Sequence, residues 1–255
     1  MPAADDRLAA ELAEQAGRRL LSLRSRGGDP DDLRKAGDTS SHEFLSAQIA
    51  ARRPGDAILS EEGRDSTARL TADRVWIVDP LDGTREFGEA GRSDWAVHVA
   101  LWDRGELTAG AVALPAQGRV LSTAEPPDQL GTPPAADGHA LRIVVSRSRP
   151  PAFAAEVAED IGATLVPLGS AGAKAAAVIF GQADAYLHDG GQYEWDSAAP
   201  VAVALAAGLH ASRLDGSKLV YNQASPWQPD ILICPGKLAD RLLTAVGAVR
   251  PAGTV

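Results

Sequence analysis

Two aspartates three residues apart, Asp79 and Asp82, close an apolar run and stand before Gly83 and Thr84 in Trp76-Ile77-Val78-Asp79-Pro80-Leu81-Asp82-Gly83-Thr84. The run reads as a buried strand that Pro80 stops, so both carboxylates project from the loop beyond its end. Carboxylates that close repel by roughly 4 kcal/mol at 4 Å and an effective dielectric near 20, so the stretch favours cations. The Leu81 carbonyl and the Thr84 hydroxyl add hard oxygen donors, which suit magnesium rather than zinc. Taken alone, the same residues also read as an Asp-Pro/Asp-Gly turn capped by its own side chains.

Carboxylates recur in similar settings elsewhere. Ala57-Ile58-Leu59-Ser60 is a second short apolar run and ends in Glu61-Glu62-Gly63. Far downstream, Glu194-Trp195-Asp196-Ser197-Ala198-Ala199 places an aspartate at the head of an alanine-rich helical stretch. Each has a plainer reading: Glu61 and Glu62 as solvated loop charges, Asp196 as an N-cap. Together and in this order they resemble the inositol monophosphatase superfamily of magnesium-dependent, lithium-sensitive phosphatases. Glu61-Glu62 matches its Glu-Glu motif, Asp79 to Thr84 its D-P-[IL]-D-G-T box, and Trp195-Asp196 its W-D motif. Shorter segments are similar to one branch, the CysQ-type 3'-phosphoadenosine 5'-phosphate phosphatases. These are Gly83-Thr84-Arg85-Glu86-Phe87, Glu194-Trp195-Asp196 and Val145-Ser146-Arg147-Ser148, against G-T-[KR]-E-F, E-W-D and S-R-S.

The resemblance implies two to three Mg2+ ions per site, which would neutralise the phosphate, activate a water and stabilise the departing oxygen. Glu61, Asp79 and the Leu81 carbonyl would hold the first ion, and Asp79, Asp82 and Asp196 the second. A weaker third would lie on Glu61. Thr84 would orient the attacking water, and Asp38 would accept its proton. Asp38 is matched by place, at the head of the helix before the Glu-Glu strand. The family's T-x-A-D lead-in is replaced here by Lys35-Ala36-Gly37-Asp38, and a plain helix cap is the rival reading.

Substrate contacts are implied in the same way. The amides of Gly83 and Thr84 would meet the scissile phosphate beside Glu61, Leu81, Asp82 and Asp196. Gly169, Ser170 and Lys174 resemble the family's Gly-Ser stretch at the leaving-group site, and Ser146 and Arg147 belong to the S-R-S segment. Arg147 and Lys174 are the candidates for a second phosphate, with an ordinary exposed basic residue as the alternative for each. Asp189 and Tyr193 fall where family members touch the leaving group. His98, inside an expected strand, reads as structural.

The implied reaction is hydrolysis of 3'-phosphoadenosine 5'-phosphate to AMP and phosphate, a step of sulfur assimilation, by direct in-line attack of water. Inositol 1-phosphate and fructose 1,6-bisphosphate are the alternative substrates in the superfamily. Outside catalysis, the alternative is a silent metal- or nucleotide-binding protein, against which the retention of Thr84 argues.

Composition narrows the class. A net charge of −9 over 255 residues disfavours binding to nucleic acid. One cysteine, Cys234, excludes an intramolecular disulfide and a cysteine-built zinc site. No apolar run has the length of a membrane span and no secretory h-region opens the chain, so a cytoplasmic location is expected. A homodimer is compatible with the sequence, which fixes no oligomeric state.

The elements that must position these residues follow from periodicity. Leu8, Leu12, Ala16, Leu20 and Leu23 mark a first helix that Asp5-Asp6 can cap, and 25–37 reads as a connection. Ser40-Ser41-His42-Glu43 has capping-box form and opens a second helix to Arg53. Strands are expected at 57–60, 74–78, 95–102, 107–114 and 120–123, the last three as a meander. Strands and helices then alternate: strands at 141–145, 164–168, 183–187 and 230–234, helices at 151–161, 171–180, 196–207 and 237–246. Pro200 is placed in the first turn of its helix. The expected class is α/β (α+β), with an antiparallel sheet in the N-terminal half and a mixed sheet in the C-terminal half. The resemblance implies the layered α-β-α-β-α sugar-phosphatase fold. Residues 1–125 would form an α+β lobe with the metal box, 126–139 a linker, and 140–255 an α/β lobe with Trp195-Asp196.

Overall fold

Side-chain alternation along one strand sets the layering. In the computed structural model, which describes residues 2–127 and 140–250, strand β2 (Arg74–Asp82) sends Val75 and Ile77 into one core and Trp76 and Val78 into another. A sheet buried on both faces needs cover on both. β2 lies in a five-stranded sheet of order β1-β2-β3-β4-β5, with β1 (Ala57–Ser60), β3 (Ala96–Asp103), β4 (Glu106–Leu114) and β5 (Arg119–Ser122). Helices α1 (Pro2–Arg24) and α2 (Pro30–Arg52) cover one face, where Leu8, Leu12, Leu20, Leu45 and Ile49 meet Trp76, Val78, Val97 and Val99. A short helix α3 (Thr84–Gly88) follows β2.

The other face meets two central helices, α5 (Ala171–Ile179) and α6 (Glu194–Ala206). These pack in turn on a second sheet of order β7-β6-β8-β10-β9. Its strands are β6 (Leu141–Ser146), β7 (Ala163–Leu168), β8 (Ala185–Tyr193), β9 (His210–Ser212) and β10 (Trp227–Cys234). Helices α4 (Ala154–Asp160) and α7 (Gly236–Val249) close the outer face over Ile143, Val145, Leu187 and Leu232. The layers therefore run α-β-α-β-α. A helix between two sheets must be thin, and α5 is buried along its whole length with small residues at most positions. At Gly110 a Cβ would sit 2.6 Å from that of Ala202, which shows how closely α6 approaches β4.

Several expectations need correction. α1 already includes Asp5 and Asp6, and Asp5 instead pairs with Arg53 at 2.6 Å and Arg74 at 2.9 Å. α2 begins at Pro30, not near Ser40, because Asp29 accepts the Asp31 and Asp32 N–H groups as N-cap and proline suits the first helical position. Gly37 does not break this helix; it lies buried inside it, where a Cβ would come within 2.9 Å of Leu81 and Phe87. Asp38 is thus mid-helix, and Ser40-Glu43 is no capping box: Ser41 Oγ donates to the Pro80 carbonyl at 2.7 Å.

Nor does Pro80 stop its strand. β2 runs on to Asp82 and shifts register against β3 between Asp79 and Asp82, where a missing N–H is tolerated. β1 joins β2 in parallel beside the antiparallel meander, and in the second sheet β6 is parallel to β7 and β8 while β10 is antiparallel to β8 and β9. Pro200 lies inside α6, past its first turn, and leaves the Asp196 carbonyl without its helical donor. The strand β9 was not expected. Of the expected linker, 128–139 lies outside the described residues. No helix of the described residues is long and apolar enough to cross a membrane. Cys234 is buried, and burial pushes its thiol up to about 12.

Candidate active site

The register shift at the end of β2 turns Asp79 and Asp82 toward one cleft. Asp79 is 1% exposed, and its Oδ1 accepts the Leu81 N–H at 3.0 Å, which folds the Pro80-Leu81 corner back on itself. α6 delivers Asp196 in its first turn, where its Oδ2 accepts the Tyr193 N–H at 2.6 Å. Oxygens of Asp79, Asp82 and Asp196 lie within 4.8 Å of one another. Glu61 follows β1, its N–H donating to the Val78 carbonyl at 3.4 Å, so the parallel β1–β2 pair brings it to the same end of the sheet.

Charge is unevenly balanced across this group. Burial pushes Asp79 well above the usual carboxylate range, and the negative charges of Glu61, Asp82 and Asp196 add to it. Burial, then Asp82, pushes Asp196 up to about 6. Glu61 as a residue is open to solvent, yet its carboxyl is crowded by atoms of the cleft. That crowding and the charge of Asp196 push it up to about 8. Asp82 goes the other way. Burial opposes ionisation, but His98, Lys174 and Ser170 outweigh it and hold Asp82 well below the usual range. Its Oδ2 accepts the Ser170 hydroxyl and the Gly172 N–H at 2.8 Å, with His98 Nε2 lying 3.1 Å away, which leaves Oδ1 for a ligand. An all-oxygen set with this much uncompensated charge fits a hard divalent cation.

Thr84 opens α3 behind Gly83, whose φ of +83° and close contacts with Ser170 and Asp94 admit only glycine comfortably. The Thr84 hydroxyl lies 3.0 Å from the Leu81 carbonyl and 3.4 Å from Asp38 Oδ1. Burial, then Glu62, pushes Asp38 up to about 7, while the Thr84 hydrogen bond works against the shift. An acidic group near neutrality beside a hydroxyl is the arrangement of a proton acceptor.

Beside the acids opens a cavity of about 230 Å³. Its lining includes Asp82, Gly83, Thr84, Ser146, Gly169, Ser170, Lys174 and Asp196, all singled out in the sequence. Ser170 caps α5, accepting the Ala173 N–H at 3.0 Å, and Gly169 N–H donates to Asp94 Oδ2 at 2.8 Å. Lys174 is buried rather than exposed, its ammonium donating to the Gly169 and Ser170 carbonyls, and burial lowers it to about 8.

Arg147 is a different case. Its guanidinium pairs with Glu86 at 2.6 Å and Glu89 at 2.9 Å and does not line the cavity. Asp189 pairs with Arg250 at 2.7 Å, and Tyr193 stacks on Trp195 at 4.8 Å. Glu194 is buried under the N–H groups of Asn222 and Gln223, at 2.7 and 2.8 Å.

His98, read from the sequence as structural, is placed by the fold against the site. Its Nδ1 faces the Trp195 carbonyl at 3.1 Å and its Nε2 faces Asp82, so one ring ties the W-D segment to the metal box. The β2–β3 register that sets it opposite Asp79 was the available signal. Gly172 makes room for the ring, since a Cβ there would lie 2.3 Å from Nε2.

Fold and site together define a phosphatase architecture, and residues 2–249 match the inositol monophosphatase family; the chain belongs to that family. One relative, a 3'-phosphoadenosine 5'-phosphate phosphatase of Mycobacterium tuberculosis, is 53% identical over 238 residues, 91% of this chain and 89% of its own length. The 3'(2'),5'-bisphosphate nucleotidase CysQ of Escherichia coli is 30% identical over 83% of this chain and 91% of its own. Among solved structures, inositol monophosphatase II of Staphylococcus aureus superposes with a TM-score of 0.78 over 96% of both chains at 21% identity, a likeness of fold.

Proposed function

We propose that this protein is a magnesium-dependent phosphomonoesterase that hydrolyses 3'-phosphoadenosine 5'-phosphate to AMP and inorganic phosphate. The names of its relatives support the substrate, and one observation carries the chemistry: the all-oxygen group of Asp79, Asp82 and Asp196 opens onto a polar cavity beside the Thr84–Asp38 pair. Asp79, Glu61 and the Leu81 carbonyl would hold one Mg2+, and Asp79, Asp82 and Asp196 would hold a second. Bound there, magnesium supplies charge neutralisation at the phosphate and lowers the pKa of water. Thr84 orients the attacking water through its hydroxyl, and Asp38 receives the proton that the hydroxyl passes on. The amides at the start of α3 steady the phosphate. Ser170 and His98 keep the Asp82 carboxylate turned toward the cleft, a constraint of the kind that tunes metal ligands. A silent binding protein has no use for a Thr–Asp pair at this position.

The test is release of inorganic phosphate from 3'-phosphoadenosine 5'-phosphate, inositol 1-phosphate and fructose 1,6-bisphosphate at matched magnesium. The expected result is the highest kcat/KM for the nucleotide, inhibition by lithium and no turnover in excess chelator. Preference for either sugar phosphate would overturn the substrate assignment, and full turnover in chelator would overturn the metal.

A further inference from the structure

An anionic leaving group requires a cation that the protein has not already paired. Five basic side chains surround the leaving-group cavity or lie near it: Arg85, Arg147, Arg149, Lys174 and His188. Arg147 is spent on Glu86 and Glu89. Lys174 is buried, donates to two backbone carbonyls and answers the charge of Asp82. His188 is buried, its Nε2–H is directed to the Gly190 carbonyl at 2.7 Å, and burial lowers it to about 4, so it carries no charge near neutrality.

Arg85 and Arg149 remain. Both are exposed, both line the cavity, and neither forms an ion pair among the described residues. They stand on different walls. Arg85 follows Thr84 directly, on the wall that receives the scissile phosphate, and lies in the field of Glu89. Arg149 comes from the segment after β6, its N–H donating to Ser146 Oγ at 3.2 Å. Its guanidinium lies against β8 at Gly191, where a Cβ would sit 3.0 Å from Nη1; Gly190 and Gly191 both hold φ of +74° where β8 shifts register against β10. Glycine at 191 leaves the flat guanidinium room against bare backbone at the edge of the cavity, which Arg149 and Gly191 both line.

We infer that Arg149 is the contact for a second, distal phosphate on the leaving group and so sets a preference for a nucleoside bisphosphate over a monophosphate. The inference rests on the phosphomonoesterase reading above. A guanidinium meets a phosphate through two parallel N–H donors, a match that lysine does not reproduce.

The experiment compares kcat/KM for 3'-phosphoadenosine 5'-phosphate and 3'-AMP, which lacks the distal phosphate, in wild type, Arg149→Ala, Arg149→Lys and Arg85→Ala. Calorimetric binding of AMP and of adenosine runs alongside. Wild type should prefer the bisphosphate by about ten- to a hundredfold, the range of a charge-assisted contact. Arg149→Ala should erase that preference while leaving 3'-AMP within about twofold of wild type, and Arg149→Lys should recover part of it. AMP affinity should fall by the same factor and adenosine affinity should hold. Equal losses on both substrates, a preference retained in Arg149→Ala, or a preference erased by Arg85→Ala alone would each overturn the assignment. If wild type hydrolyses neither nucleotide, the substrate assignment fails; AMP against adenosine binding still decides the role of Arg149.

Discussion

Asp79 and Asp82 leave the same strand three residues apart and meet opposite surroundings. Asp79 faces Glu61 and Asp196 and is pushed well above the carboxylate range, first by burial and then by those charges. Asp82 faces α5, where a hydroxyl, a backbone N–H and an imidazole converge on one oxygen, and Lys174 adds a charge. One side of the cleft is balanced by the protein itself, and the other waits for cations. The difference shows how a fold can hold several acids together: it satisfies the carboxylate that meets the start of α5 and leaves the others for a cation to stabilise. Removing charge on the two sides should therefore have opposite effects on the metal-free fold.

That contrast is broken or sharpened first by Asp79→Asn and Asp82→Asn. Asp79→Asn should cost at least about a thousandfold in kcat, because it removes the charged ligand that the proposed site assigns to both ions. In chelator the same variant should melt higher than wild type, since it removes a buried charge that repels its neighbours. Asp82→Asn should also lose activity but melt lower, because Ser170, His98 and Lys174 lose the charge they surround. Melting shifts of the same sign would dissolve the comparison.

The next effect tests the proton path on the acid-rich side. Thr84→Ala should lower kcat by about a hundredfold with little change in KM, since a water-orienting group acts in the transition state. Asp38→Asn should match it, and the double variant should be no worse than either, as for residues acting as a unit. Additive losses would separate the two residues. On the balanced side, Ser170→Ala should raise the magnesium needed for half-maximal activity by about tenfold, because the hydroxyl only orients a ligand. An unchanged magnesium titration would deny Ser170 that task.

How much of this could be read in the chain depends on what fixes each residue's place. Glu61, Asp79, Asp82 and Asp196 sit at ends of elements whose apolar or alanine-rich patterns are local, so their places in the chain were legible, while their gathering was implied by the family resemblance. The layered architecture was implied by the family resemblance, and the structure accounts for it through the two-sided burial of Val75–Val78 and the thin central helices. Asp38 was placed at a helix head by its match to the family and because 25–37 reads as a connection, whereas Gly37 lies inside the helix and answers to Leu81 and Phe87, distant in sequence. Arg147 and Arg149 are two residues apart after one strand, and only the position of Glu86 decides which is consumed by a salt bridge. His98 gained its role from register with β2 and from the approach of α5. In each case the missing information was a contact between layers.

The smallest effect follows from the same imbalance and concerns pH. Burial raises Asp38 to about 7, Glu61 to about 8 and Asp196 to about 6, with neighbouring acids adding to each, whereas the same groups in the unfolded chain titrate near 4. Between about pH 4 and pH 8 the metal-free folded state therefore binds more protons than the unfolded state, and stability falls as pH rises through that window. Groups shifted downward, such as Asp82, act in the opposite sense, but their contribution is already complete above about pH 4. Solvent at Glu61 screens its share. A decline in Tm of about 5 °C between pH 5.5 and pH 8 in chelator is the expected size for this chain. Magnesium binds the ionised group, so it should raise Tm more at pH 8 than at pH 5.5 and flatten the curve. Asp79→Asn should flatten it without metal, by removing one of the repelling charges. A Tm that rises with pH in chelator, or a magnesium increment equal at both pH values, would mean that the protein already compensates the β1 side as it does the α5 side.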